Sequence, residues 1–224
     1  MKMYFGLEWC VRQMENEIMS IFPTPVVKIS LGRSFTKPEM RTISNIPTQR
    51  LQGTANHQSK DGYLFDTFAS DEGLKDIKKF CEDELKRFLE EVEGVDTDIA
   101  GIRITQSWLN KTKPGEHHHT HAHPNSYLSG VLYVSCLPND HIVFSNRMQG
   151  MFNNTEFPIK KTTEWNATSF GQNVTEGDLI IFPSWVLHFV DFNKTKNKER
   201  ISLSFNTFPT GELGKYEHAS HVKL

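Results

Sequence analysis

Five of the ten histidines crowd into seven residues, His117, His118, His119, His121 and His123, just ahead of the apolar run Leu128 to Val134. If this segment is extended, side chains alternate between faces, and His117, His119, His121 and His123 share one side. Two imidazoles at i and i+2 on a strand can grip one metal ion. Histidine-rich tracts also bind metal loosely or not at all, so the rest of the chain must supply a third ligand and a use for the metal. His188 is the candidate. It follows the strand-like Gly177-Asp-Leu-Ile-Ile-Phe-Pro183 and the apolar stretch to Leu187, a setting in which a histidine is more often a satisfied core residue than a ligand. Twelve residues later, Arg200 opens the otherwise apolar or small run Ile201 to Phe205. Such an arginine is either a rim residue in solvent or a buried guanidinium that meets a carboxylate through its planar fork. Taken together, two or three imidazoles on one edge of a β barrel suit Fe(II), and equally Zn or Cu. They leave positions open for a bidentate co-substrate and O2, with the arginine at the far carboxylate.

The elements that must position these groups are legible as patterns. Residues 1–18 carry a weak pattern for a short helix. Val26 to Leu31 reads as a first strand, and Lys37 to Ile46 as a short helix with Pro38 in its first turn. The polar stretch Thr48 to Gly62 reads as loop. Ser70-Asp71 offers a helix N-cap, and Leu74, Ile77, Cys81, Leu85, Phe88 and Val92 follow at spacings of three and four until Gly94. This predicts an amphipathic helix whose stripe is scaffold. From Gly101 to Asn110 the chain alternates, with Ile102, Ile104, Gln106, Trp108 and Asn110 on one face and Arg103, Thr105, Ser107 and Leu109 on the other. Short strands follow at Ser129–Val134, His141–Phe144, Asp178–Phe182 and Arg200–Phe205, with turn-rich loops such as Pro138-Asn139-Asp140 between them. The fold class is mainly β with flanking helices, as a sandwich or barrel.

Composition bounds the function. A length of 224 residues with 37% hydrophobic residues, 11% aromatic and 16 Phe describes one globular domain. A net charge of −2 gives no footprint for nucleic acid or anionic lipid. No apolar run approaches the roughly 20 residues of a bilayer span. Cys10, Cys81 and Cys136 form no Cys-x-x-Cys pair and read as reduced cysteines. Without a signal peptide, a cytoplasmic location is expected, and the Asn-x-Thr sequons are read as chance.

Order and spacing resemble the iron(II)- and 2-oxoglutarate-dependent oxygenases, and more narrowly those of phages and marine bacteria. The matching text is Phe22-Pro-Thr-Pro-Val26, Ser107-Trp-Leu-Asn110, His121-Ala-His-Pro-Asn-Ser126, Leu128-Ser-Gly-Val-Leu-Tyr133, Gly177 to Trp185, His188 and Glu199-Arg-Ile-Ser-Leu-Ser-Phe-Asn206. The resemblance implies a double-stranded β-helix (jelly-roll, cupin-like) core over residues 20–209, with 1–19 as an N-terminal extension and 210–224 as a tail. It implies Fe(II) as cofactor, 2-oxoglutarate as co-substrate and O2, with His121, His123 and His188 as metal ligands and His117, His118 and His119 as a loop nearby. It also implies Arg200 at the C5 carboxylate with Ser202 assisting, Tyr133 and Asn110 as further co-substrate contacts, and Trp108 and Trp185 as walls. The chain departs from the wider superfamily at His123, where most members have Asp or Glu. Lys194, Lys196 and Lys198 read as a solvated hairpin tip.

The implied activity is a hydroxylase acting on an unactivated C–H bond, with a prolyl or other amino-acid side chain, free or in a peptide, as the expected substrate. Two rivals stay open. One is a three-histidine cupin-type dioxygenase that makes no use of 2-oxoglutarate; the other is a non-catalytic β-barrel binding module. Specificity is expected in the loops Thr48–Phe68 and Gln149–Gln172, and a homodimer is an open arrangement.

Overall fold

The structure, a computed structural model, describes residues 18–50, 55–69, 73–146 and 157–224. The helical pattern of residues 1–18, the Ser70-Asp71 cap and Cys10 lie outside the described residues, apart from Ile18 itself. None of the described helices is long and apolar enough to cross a membrane.

Two antiparallel sheets face each other. The larger is built from β1 (Val27–Ser30), β2 (Thr48–Arg50), β3 (His57–Ser59), β4 (Ala100–Thr112), β6 (Leu128–Ser135), β9 (Asp178–Pro183), β11 (Arg200–Leu213) and β12 (Val222–Lys223). Its order is β1-β9-β6-β11-β4-β3-β2, with β12 added on β11. The smaller sheet runs β5 (His118–His121), β10 (His188–Val190), β7 (His141–Ser145) and β8 (Ser169–Asn173). This is the jelly-roll arrangement of a double-stranded β-helix.

Alternation on the strands of the larger sheet sorts side chains into two cores. On one face, Leu109, Leu128, Leu132, Leu179, Ile181, Leu203 and Phe205 pack against the helices α1 (Lys37–Asn45), α2 (Leu64–Thr67) and α3 (Lys75–Arg87) through Ile43, Leu64, Phe65, Ile77, Cys81 and Leu85. On the other, Val131, Tyr133, Ile180 and Phe182 meet Ile142, Phe144 and Val186 between the sheets. The helix α1 begins on Thr36, whose hydroxyl accepts from the Glu39 N–H while the Glu39 carboxylate receives the Thr36 N–H, a reciprocal cap that satisfies two orphan donors.

Four departures from the sequence reading have physical causes. Thr48–Gly62 is not loop: β2 and β3 form a hairpin that extends the sheet beyond β4. Their short polar residues carry no apolar alternation, so only pairing along an existing edge makes them strands. The loop around Gln172 likewise holds β8, which pairs with β7 at the border of the smaller sheet. The long helix ends in a π-helical turn, Phe88–Glu93, closed by Gly94 in the left-handed region at φ 68. The wider π turn rotates the stripe, so Leu89 is buried and Val92 is 45% exposed. Finally, Asn206 pairs with Gln106 but Thr207 with Ile104, leaving Thr105 as an extra residue in a β-bulge that reverses the alternation of β4. Ile102 and Ile104 therefore join Leu109 on the helix side. β11 runs without a break through position 209 to Leu213, paired with β4 as far as Gly211.

Candidate metal centre and its pocket

The smaller sheet brings the distant histidine to the pair. On β10 and β5, His188 stands opposite His121, and the chain turns back after β5 so that His123, in the loop, reaches the same point. One ring nitrogen from each of His121, His123 and His188 lies within 4.8 Å of the other two, close enough for the three to hold one metal ion. Ring centroids are 4.3 Å apart for His121 and His188, and 5.0 Å for each remaining pair.

Each ring is held by its Nδ1. His121 Nδ1 lies 2.8 Å from the His119 carbonyl and His188 Nδ1 3.1 Å from the Val186 carbonyl. A carbonyl only accepts, so both Nδ1 atoms carry the proton and both Nε2 atoms present a lone pair. His123 Nδ1 lies 2.6 Å from the Ser129 hydroxyl, which continues to Asn206 Oδ1 at 2.9 Å and Ser184 Oγ at 2.7 Å. Such outer hydrogen bonds orient imidazoles for a metal. Burial, followed by neighbouring histidines, lowers the pKa of His123 to about 4 and of His188 to about 2; burial also lowers that of His121. Neutral imidazoles are the form that a metal needs.

His118 was expected in a bystander loop, yet it lies 4.3 Å from the His121 ring and lines the same cavity. It faces Val190 on β10, and burial lowers its pKa to about 3. His119 borders the outer cleft, and His117 lies against Phe192 at 4.1 Å.

Behind the histidines the larger sheet supplies the pocket wall. Tyr133, Asn110, Arg200 and Ser202 line it together, with Ser204 and Trp108. Arg200 is 5% exposed, and its guanidinium is already engaged: Nε donates to both oxygens of Asp140 at 2.8 Å, and Nη2 donates to Oδ1 of the same residue. Arg200 Nη1 and the Tyr133 hydroxyl are buried with no partner among the described residues. Asn110 is less available, since its amide donates to Ser204 and accepts from Asn56. Trp108 packs edge-on to His123 and borders both cavities. Trp185 is 66% exposed and is no wall of the pocket; it sits at the turn after β9, where alternation carries its ring outward. Lys194, Lys196 and Lys198 are exposed.

The inner cavity has a volume of about 30 Å³. It adjoins an open cleft of about 450 Å³ lined by Gln49, Gln58, Gln106, Ser59 and Lys60, with Trp108, His118, His121 and His123 shared between the two. Asp140, Ser129, Asn206 and His118 are the members that sequence reasoning missed. Asp140 sat in an ordinary turn, and nothing local to Ser129 or Asn206 marks two small polar residues as partners of a histidine.

Residues 106–206, the stretch holding all of these groups except the β2–β3 hairpin, match a family model described as "Putative 2OG-Fe(II) oxygenase". Over that stretch, somewhat less than half of its length, the chain is similar to the 2OG-Fe(II) oxygenases. Solved structures share the fold. SnoN, a non-heme alpha ketoglutarate dependent epimerase from nogalamycin biosynthesis, is 9% identical with a TM-score of 0.56 over 84% of this chain and 81% of that one. HygX from Streptomyces hygroscopicus, with nickel and 2-oxoglutarate bound, is 13% identical with a TM-score of 0.52 over 84% of each chain. A 2OG-Fe(II) oxygenase family oxidoreductase from Burkholderia pseudomallei is 12% identical with a TM-score of 0.51 over 82% and 85%. At these identities the likeness is one of fold. No curated protein sequence matches the chain.

Proposed function

We propose that the chain is a 2OG-Fe(II) oxygenase, a hydroxylase in which His121, His123 and His188 hold Fe(II), and Arg200 and Tyr133 hold the far carboxylate of 2-oxoglutarate. The observation that carries this reading is one juxtaposition. Three imidazoles with free Nε2 atoms face a cavity whose lining also carries, beside Trp108 Nε1, two buried donors suited to a carboxylate, Arg200 Nη1 and the Tyr133 hydroxyl, all three without a partner among the described residues. Unpaired buried donors are costly, and a carboxylate satisfies both at once. Ser202, on the same strand face as Arg200, and the Asn110 amide are secondary contacts.

When bound, iron, 2-oxoglutarate and O2 supply the oxidising power and leave succinate and CO2 as by-products. The chain's own part is placement. Val131, Ile142 and Val190 exclude water from the metal side of the cavity, Trp108 separates cavity from cleft, and the cleft admits the substrate. Gln49, Gln58 and Gln106 offer both donors and acceptors there, which suits a polar substrate such as an amino acid or peptide whose C–H bond is presented toward His121 and His123.

Anaerobic titration of Fe(II)-loaded protein with 2-oxoglutarate tests the reading. A weak visible charge-transfer band is expected, and Arg200→Ala should abolish it while leaving metal content unchanged. Folded, metal-replete protein that gives no band would overturn it.

A further inference from the structure

Asp140 lies in the turn before β7, 3% exposed, and is anchored independently of Arg200: its carboxylate also accepts the backbone N–H groups of Leu137 at 3.0 Å and His141 at 3.1 Å. It therefore fixes Nε and Nη2 of Arg200 and turns only Nη1 toward the cavity. The charges of the assembled site then decide what Asp140 is for. A divalent metal on three neutral imidazoles keeps both of its positive charges. Arg200 adds one more, Asp140 removes one, and dianionic 2-oxoglutarate removes two. The sum is zero with Asp140 and one net positive charge without it, in a buried cavity where uncompensated charge is expensive.

We propose that Asp140 is a positioning residue for the co-substrate and supplies, beside Arg200, the negative charge that an all-histidine metal site lacks. The environment of residue 123 agrees. Asn206 gives its amide N–H to Gln106 and so turns Oδ1 toward Ser129; the single Ser129 proton goes to that oxygen. Position 123 then meets a hydroxyl lone pair, which accepts an imidazole N–H and offers nothing to a carboxylate. The site thus favours histidine at 123 and places its carboxylate at 140, and it is matched to a dianionic 2-oxo acid over a monoanionic one.

The inference rests on the metal and 2-oxoglutarate reading above, and calorimetry separates the two. Wild-type protein loaded with Ni(II) is titrated anaerobically with 2-oxoglutarate, with metal occupancy measured in every variant; no binding by wild type overturns the underlying reading itself. Given binding, His123→Asp should cost about tenfold or more in 2-oxoglutarate affinity when Asp140 is present, but less than about threefold in an Asp140→Asn background, where the charges again balance. An equal cost in both backgrounds would show Asp140 to be a clamp alone and overturn the proposal. A second measurement keeps Asp140 intact. The preference for 2-oxoglutarate over its C5 methyl ester should fall about tenfold in His123→Asp, because the ester then gives the neutral site; an unchanged preference overturns the proposal as well.

Discussion

The Ser129 hydroxyl lies 2.6 Å from His123 Nδ1, and the arithmetic of one proton makes it an acceptor. Its own hydrogen goes to Asn206 Oδ1 at 2.9 Å, so the imidazole must donate, and Nε2 is left free for a metal. Ser129→Ala removes this bond while leaving the buried Nδ1–H unpaired. The expected result is a metal dissociation constant raised about 10- to 100-fold by titration with Ni(II) or Mn(II). An affinity within about twofold of wild type would show that packing against Trp108 and Phe182 suffices to orient the ring.

Gly130, on β6, pairs with Phe205 on β11, and the Phe205 ring occupies the space that a side chain at 130 would need. A Cβ there would come within 2.0 Å of Phe205 Cζ. Gly130→Ala should therefore lower stability by about 2 kcal/mol or more, a melting-temperature drop of roughly 4–8 °C. Adding Phe205→Leu should recover part of the loss. Thermal denaturation of the two variants measures both effects, and an unchanged melting temperature in the single variant would contradict the close approach.

What the sequence showed and what it hid divide along a physical line. Patterns carried by apolar residues were legible: the helix stripe through Ile77, Cys81 and Leu85, and the buried strands around Leu132, Ile180 and Leu203. So was the gathering of His121, His123 and His188, because histidines at a strand end and after a turn are conspicuous. Features decided by a single residue's backbone were not. The Thr105 bulge reverses the faces of β4, and the π turn at Phe88–Glu93 rotates Val92 outward, yet neither leaves a compositional trace. Partners distant in sequence were hidden for a related reason. Asp140 meets Arg200 across 60 residues, and an Asp in a turn is explained well enough by the turn.

The buried histidines set the pH response of the metal-free protein. The pKa values of His118, His123 and His188 fall to about 3, 4 and 2 in the folded state, against about 6.5 unfolded. Below about pH 6.5 the unfolded chain therefore binds protons that the folded chain refuses, and stability declines as pH falls, by about 1.4 kcal/mol per pH unit for each such histidine. Above pH 6.5 this contribution is fully present. Urea denaturation in chelator at about pH 7 and about pH 5.5 should show the loss, and His118→Gln should make it smaller. A pH-independent midpoint across that window would mean that these rings take up protons without unfolding.

Tyr133 offers a test in which stability and binding move in opposite directions. Its hydroxyl is 1% exposed in residue terms, faces the pocket and has no partner among the described residues; burial pushes its pKa upward, so it stays a neutral donor. Leaving a buried hydroxyl unpaired costs about 1–3 kcal/mol. Tyr133→Phe removes that cost and should raise the melting temperature of the ligand-free protein by a few degrees. The same change deletes a donor to the co-substrate carboxylate, where a hydrogen bond to a charged group is worth about 1.5–3 kcal/mol, so 2-oxoglutarate affinity should fall about tenfold or more. Metal affinity should not change, since Tyr133 is no ligand. If the variant is less stable and binds 2-oxoglutarate as tightly as wild type, the hydroxyl is part of the core and Arg200 Nη1 receives the carboxylate alone.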